Sequence, residues 1–113
     1  MEMRLLRADE MALFYDRDLD DAFPGAELKP LRVMEGARRT GKYHPWGLFD
    51  GEDLVGGAFT WEYAPGWVLF DYLCVARHRR NDGLGADLVF EASGNPRAVP
   101  QGMQMLRNRG VYL

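Results

Sequence analysis

The residues best suited to chemistry lie close together, in the stretch VARHRRNDGLGA from Val75 to Ala86. An apolar run ends at Val75, arginines follow at Arg77, Arg79 and Arg80, and Gly83 and Gly85 precede an apolar stretch able to start a helix. Strand, basic turn, glycines and helix N-terminus, in that order, suit an anion. Glycines let main-chain N–H groups crowd toward a phosphate, and the helix dipole adds to their pull. Two glycines beside arginines also describe a plain solvated turn, so the surroundings must decide.

Two carboxylates offer acid–base chemistry. Glu62 follows Trp61 directly, and Asp71 lies inside the apolar run VLFDYLCV, where a charge needs an ion-pair partner or a hydrogen bond to a turn. His44, next to Pro45, reads as a strand-end residue, and His78 adds donors to the basic turn. Cys74 has no activating histidine tied to it by a motif and reads as a small buried strand residue. One cysteine forms no internal disulfide and matches no metal-ligand spacing, so no metal is expected and a reducing, cytoplasmic location is.

The elements that must position these groups follow from periodicity. MRLLR, Met3 to Arg7, predicts a first strand, and Met11, Phe14, Tyr15, Leu19 and Phe23 recur at helical spacing until Pro24 and Gly25. A second helix is expected between Pro30 and Gly41, with Arg38 and Arg39 suiting its C-terminal dipole. KYHPWGLFD, DLVGGAFTWEYA and GWVLFDYLCV then alternate as an antiparallel three-strand meander, with a hairpin turn at Asp50-Gly51. Gly56 and Gly57 predict a bulge or a close backbone approach, and Pro45 predicts an edge strand.

A chain of 113 residues with a net charge of −3 suits a single soluble domain with neither nucleic acid nor membrane as partner. The N-terminal stretch carries Glu2, Arg4 and Arg7 without an apolar run long enough for a signal peptide or a span, so no targeting segment is expected.

In this setting the basic turn resembles the acetyl-CoA motif of the GNAT family, the Gcn5-related N-acetyltransferases: Arg80, Gly83 and Gly85 match in register, with Val75 at the strand end five residues before the arginine. The segments LKPLR, GKYHPWGLFDGEDLVGGAFTW and VLFDYLCV are similar to the first half of such an enzyme, so the resemblance covers about residues 3 to 86. Arg77 replaces the proline, and Asn81 the glycine, that are frequent in the family.

The resemblance implies a fold of α/β class (α+β type), partial and GNAT-like. It would have a mainly antiparallel central sheet, flanking helices and an atypical, shortened C-terminal part. It implies that the turn formed by Arg80, Asn81, Asp82, Gly83, Leu84, Gly85 and Ala86 holds the pyrophosphate of acetyl-CoA, the cosubstrate. The main chain at Leu73, Cys74 and Val75 would pair with the pantetheine arm as an added strand would. The chemistry implied is acetyl transfer to a small-molecule or peptide amine, which needs a base and a preorganised N–H for the oxyanion. Glu62 and Asp71 are the candidates for that base.

From Gly85 onward, GADLVFEASGNPRAVPQGMQMLRNRGVYL resembles instead a stretch of the nucleotide-binding domain of zinc-type medium-chain alcohol dehydrogenases. That resemblance implies a strand at DLVFEASG, a helix at RAVPQGMQMLRNRG and a strand at VYL, but the dinucleotide fingerprint and every zinc ligand are missing. A chimeric chain is one reading. The alternative makes ADLVFEAS part of the phosphate-site helix, AVPQGMQMLRNR another helix, and GVYL a strand on an open edge. Residues 1–86 would then be an acetyltransferase-like half and 87–113 a helix–strand tail. Without that last pairing, the VLFDYLCV strand is an apolar edge that invites a homodimer. The absent C-terminal elements of the family fold leave a second functional reading open, a catalytically inactive domain that at most retains CoA binding.

Overall fold

The computed structural model describes residues 1–107 and 111–112. A six-stranded sheet carries helices on both faces. Strands β1 (Glu2–Leu5), β2 (Tyr43–Asp50), β3 (Asp53–Ala64) and β4 (Trp67–Val75) pair in sequence order, each antiparallel to the last. The hairpin at Asp50-Gly51 and the meander stand where the alternation of residue types expects them. Beyond β4, both β5 (Gln104–Arg107) and β6 (Val111–Tyr112) run parallel to it.

Between β1 and β2 the chain forms α1 (Ala8–Phe14), a π-helical turn (Tyr15–Leu19), α2 (Asp20–Ala22) and α3 (Leu31–Arg39). The spacing predicts one continuous helix from Met11 to Phe23. The structure inserts the wider π turn, which keeps the neighbouring Asp18 and Leu19 both wholly buried. Arg4 of β1 reaches Glu10 of α1 through two hydrogen bonds of 2.9 and 2.8 Å, and Glu10 also accepts the N–H of Arg7, the residue that caps the helix. This helical layer packs Met11, Phe14, Leu19 and Met34 onto one face of the sheet, and α4 (Leu84–Ser93) packs Leu84, Leu88 and Ala92 onto the other. Burying each of the Met, Phe and Leu side chains among these contributes about 1.5–3 kcal/mol.

Of the two readings of Gly56 and Gly57, the close approach holds at Gly57, while the bulge falls one residue before the pair. The β2–β3 register moves from Leu48↔Gly56 to Phe49↔Leu54, so the bulge falls at Val55. Gly57 is a close approach: a Cβ there would stand 2.6 Å from the Phe14 ring.

Pro45 does not mark an edge strand, because β2 lies between β1 and β3. Its carbonyl accepts the Leu6 N–H at 2.9 Å, so its own missing N–H faces the β1 side just past the end of β1, where only the reciprocal bond to Leu6 is forgone.

The tail departs from the dehydrogenase-like expectation and meets the alternative in part, since ADLVFEAS lies within helix α4 as that alternative has it. The segment expected as a dehydrogenase-like strand, DLVFEAS, is the body of α4, and it continues the helix that starts at Leu84. The expected second helix is absent through Arg107: Pro100 and Gly102 turn the chain, with Met103 N–H donating to Pro100 O, and β5 follows. Asn108 and Arg109 of that expected helix lie outside the described residues. The expected pairing of GVYL with an open strand is met at Val111 and Tyr112, while Gly110 and Leu113 lie outside the described residues. The condition under which β4 would be left bare for a second copy is therefore not met.

Candidate functional site

Strand β4 leaves the sheet at Val75, passes through a 3-10 turn at Arg77–Arg79, and enters α4 through Gly83. Gly83 caps the helix with φ 75°, a left-handed conformation that side chains with a Cβ adopt at a cost of roughly 1–2 kcal/mol. The N–H groups of Gly83, Leu84, Gly85 and Ala86 occupy the cap and first turn of α4, where no helical carbonyl precedes them to accept. The wider set expected from the sequence narrows at Asp82, whose N–H donates to Arg79 O at 3.3 Å and so belongs to the turn itself.

The arginines of this turn are engaged by aspartates of the protein. Arg80 donates to Val75 O at 3.1 Å and to Asp21 at 2.8 Å. Arg79 reaches Asp82 at 2.7 Å and Asp50 and Asp53 at 3.2 Å each, and His78 sits 2.9 Å from Asp53. Burial works against the charge on Asp53, but hydrogen bonds from His78 and Arg79 hold its carboxyl below the usual range. Arg77, the most exposed of the three with 69% of its side chain accessible, gives its main-chain N–H to the buried Asp18 at 2.8 Å. Asp18 is completed by Arg17 at 2.8 Å. These contacts clamp the turn between the β2–β3 hairpin and the π–α2 segment, so its rigidity is their main product. Asp18 and Asp21 were not legible as site residues; the acidic run DRDLDD gives no sign of which members turn inward.

The edge of β4 expected to receive pantetheine carries chain of its own. Leu73 is matched with Val111 and Cys74 with Tyr112, while the Val75 carbonyl accepts from Arg80. Trp67 to Phe70 are matched with β5. The Cys74 thiol is pushed up to about 11, chiefly by burial and against the opposing hydrogen bond from Arg80, so it stays neutral at ordinary pH. That fits the strand-core role rather than a nucleophile.

The two carboxylates diverge. The β3–β4 register runs from Phe59↔Tyr72 to Thr60↔Phe70, which places a β-bulge at Asp71. Asp71 is 1% exposed, bonded to Lys29 Nζ at 2.7 and 2.8 Å and to the Tyr43 hydroxyl at 2.8 Å. Burial, with the Asp71 charge second, drives the Tyr43 hydroxyl far above its ordinary range, so it stays a donor. A carboxylate held this way ties α3's leading loop to the bulge and has no accessible oxygen to offer an amine, which answers the expectation of a base with an ion pair.

Glu62 keeps 45% of its side chain exposed, 3.7 Å from His44 Nε2, and lines a cavity of about 290 Å³ with Lys42, Tyr63, Pro65 and Met103. A second cavity of about 330 Å³ lies between β4, α4 and β5, bounded by Phe70, Leu73, Val89, Ala92 and Met105. Among the described residues, no group of three or more His, Cys, Asp or Glu is placed to hold a metal ion, and no helix is long and apolar enough to cross a membrane.

No family model matches the chain, and no curated protein matches it by sequence. Solved structures do resemble it. A transcriptional regulator from Bacillus halodurans C-125 superposes with a TM-score of 0.62 at 14% identity, covering 94% of this chain and 79% of that one. A Trypanosoma brucei acetyltransferase gives 0.58 at 19% identity over 95% and 81% of the two chains. A GCN5-related N-acetyltransferase from Ralstonia eutropha JMP134 gives 0.55 at 19% identity over 96% and 83%. The antiparallel sheet with flanking helices, ending in a strand, turn and helix N-terminus at Val75 to Leu84, is thus a GNAT-like fold.

Proposed function

We propose that the β4–α4 junction binds the diphosphate of acetyl-CoA and that the chain works as a GNAT-type N-acetyltransferase toward an amine. The observation that carries this reading is the cluster of first-turn amides at Gly83 to Ala86, held at the end of β4 by a left-handed glycine on a GNAT-like fold. Oriented amides at a helix N-terminus are suited to phosphate oxygens.

Glu62 is the group available as base. It is exposed, lines a cavity, and follows Trp61, which is matched with Leu69. Six residues separate Leu69 from Val75, roughly 20 Å of strand. A diphosphate at Gly83 and an amine at Glu62 would therefore sit at opposite ends of β4, with the pantetheine arm spanning between. Glu62 would take the ammonium proton before attack. Asp71 would act at a distance, by fixing the bulge through Lys29 and Tyr43.

Calorimetric titration with acetyl-CoA and CoA tests binding, and thiol release over a panel of amines tests turnover. Gly83→Trp is expected to abolish binding, because the backbone strain at φ 75° and the added indole both disturb the amide cluster. Unchanged affinity in that variant would reject the assignment.

The pairing of β6 with Leu73 and Cys74 favours a second reading, a domain that holds CoA at most and turns nothing over. Heat on CoA titration without thiol release for any amine is its signature.

A further inference from the structure

We infer that β6 is an intrinsic competitor of the cosubstrate, lying on the β4 backbone that a pantetheine arm would use and leaving it when CoA binds. The inference rests on the CoA reading above and concerns how that site is regulated. A strand presents one set of N–H and C=O groups on each side. On its β3 side, β4 is matched at Leu73 with Ala58, at Cys74 with Gly57 and at Val75 with Gly56. On the other side, Leu73 and Cys74 are matched with Val111 and Tyr112. One row of main-chain groups cannot serve two parallel partners, so arm and β6 exclude each other there.

The scale of β6 makes exchange feasible. It spans two residues, whereas the antiparallel β3 partner runs from Asp53 to Ala64. A two-residue strand contributes only a few ladder bonds, each a modest net contribution. Its register is also offset from that of β5: Phe70↔Arg107 gives way to Leu73↔Val111, so β6 is seated one residue out of step with β5. Releasing β6 therefore leaves the β5 pairing from Trp67 to Phe70 in place. The competent state is the one with β6 lifted, and apparent affinity is reduced by the fraction of molecules in that state.

Two measurements on the full chain decide it. Hydrogen exchange of the segment containing Val111 and Tyr112 is followed with and without CoA, and it is expected to rise on binding while the β3–β4 segment stays protected. The double substitution Val111→Pro with Tyr112→Pro removes both strand N–H groups and is expected to tighten CoA binding by roughly tenfold or more, as for a competent state populated at 10% or below. Binding by the proline variant alone would support the inference most strongly. CoA binding with unchanged exchange at 111–112 and equal affinity in both proteins overturns the inference and leaves the CoA reading standing. Binding by neither protein removes both.

Discussion

Along its β3 side, β4 is matched from Trp67 to Val75 by an antiparallel partner delivered through a short turn. Along its other side it is matched by two parallel pieces that arrive after an intervening helix. The first side is built from local contacts whose side chains alternate between two packed cores. The second depends on long-range pairing, which costs more loop entropy and is made of short strands. The lesson is that the side fixed most firmly is scaffold, while the proposed chemistry falls on the side fixed least.

Asp71 stands where both sides break step, at the bulge toward β3 and between the β5 and β6 pairings. Asp71→Ala leaves the buried Tyr43 hydroxyl and the Lys29 ammonium without this carboxylate, and should cost about 3 kcal/mol in urea denaturation. A loss under 1 kcal/mol would show that the bulge is held by packing alone.

The scaffold side is probed at Gly57, opposite Cys74. Gly57→Val pushes against the buried Phe14 ring and should destabilise by about 1–3 kcal/mol, seen as a lower denaturation midpoint at unchanged slope. Neutral behaviour there would mean that α1 moves as readily as β6.

The smallest effect is expected on the tail side. Gln104→Pro removes the N–H that donates to Gly66 O at 2.8 Å, and should cost about 1 kcal/mol. A loss as large as that at Asp71 would erase the contrast between the two sides and make β5 part of the scaffold.

The meander and the hairpin were legible because both are written in neighbouring residues: alternating aromatic and β-branched types, and Asp50-Gly51 between them. The turn at Arg80, Gly83 and Gly85 was legible for the same reason. The partners of its cations were not, because Arg80 meets Asp21 across 59 positions and Arg77 meets Asp18 across the same separation. Asp71 could be read as needing a counter-ion, yet only the fold brings Lys29 to it, 42 positions away. The path after α4 was illegible for a different reason: Pro100 and Gly102 announce a turn without saying which strand edge the chain then joins.

The lattice of aspartates around Arg79 and Arg80 has one more effect. It neutralises the mouth of α4 before any guest arrives, since each guanidinium already faces carboxylates within about 3 Å. An incoming diphosphate would meet oriented dipoles instead of surplus positive charge, so long-range steering, the part of capture that dissolved ions screen, would contribute little to how fast it is found.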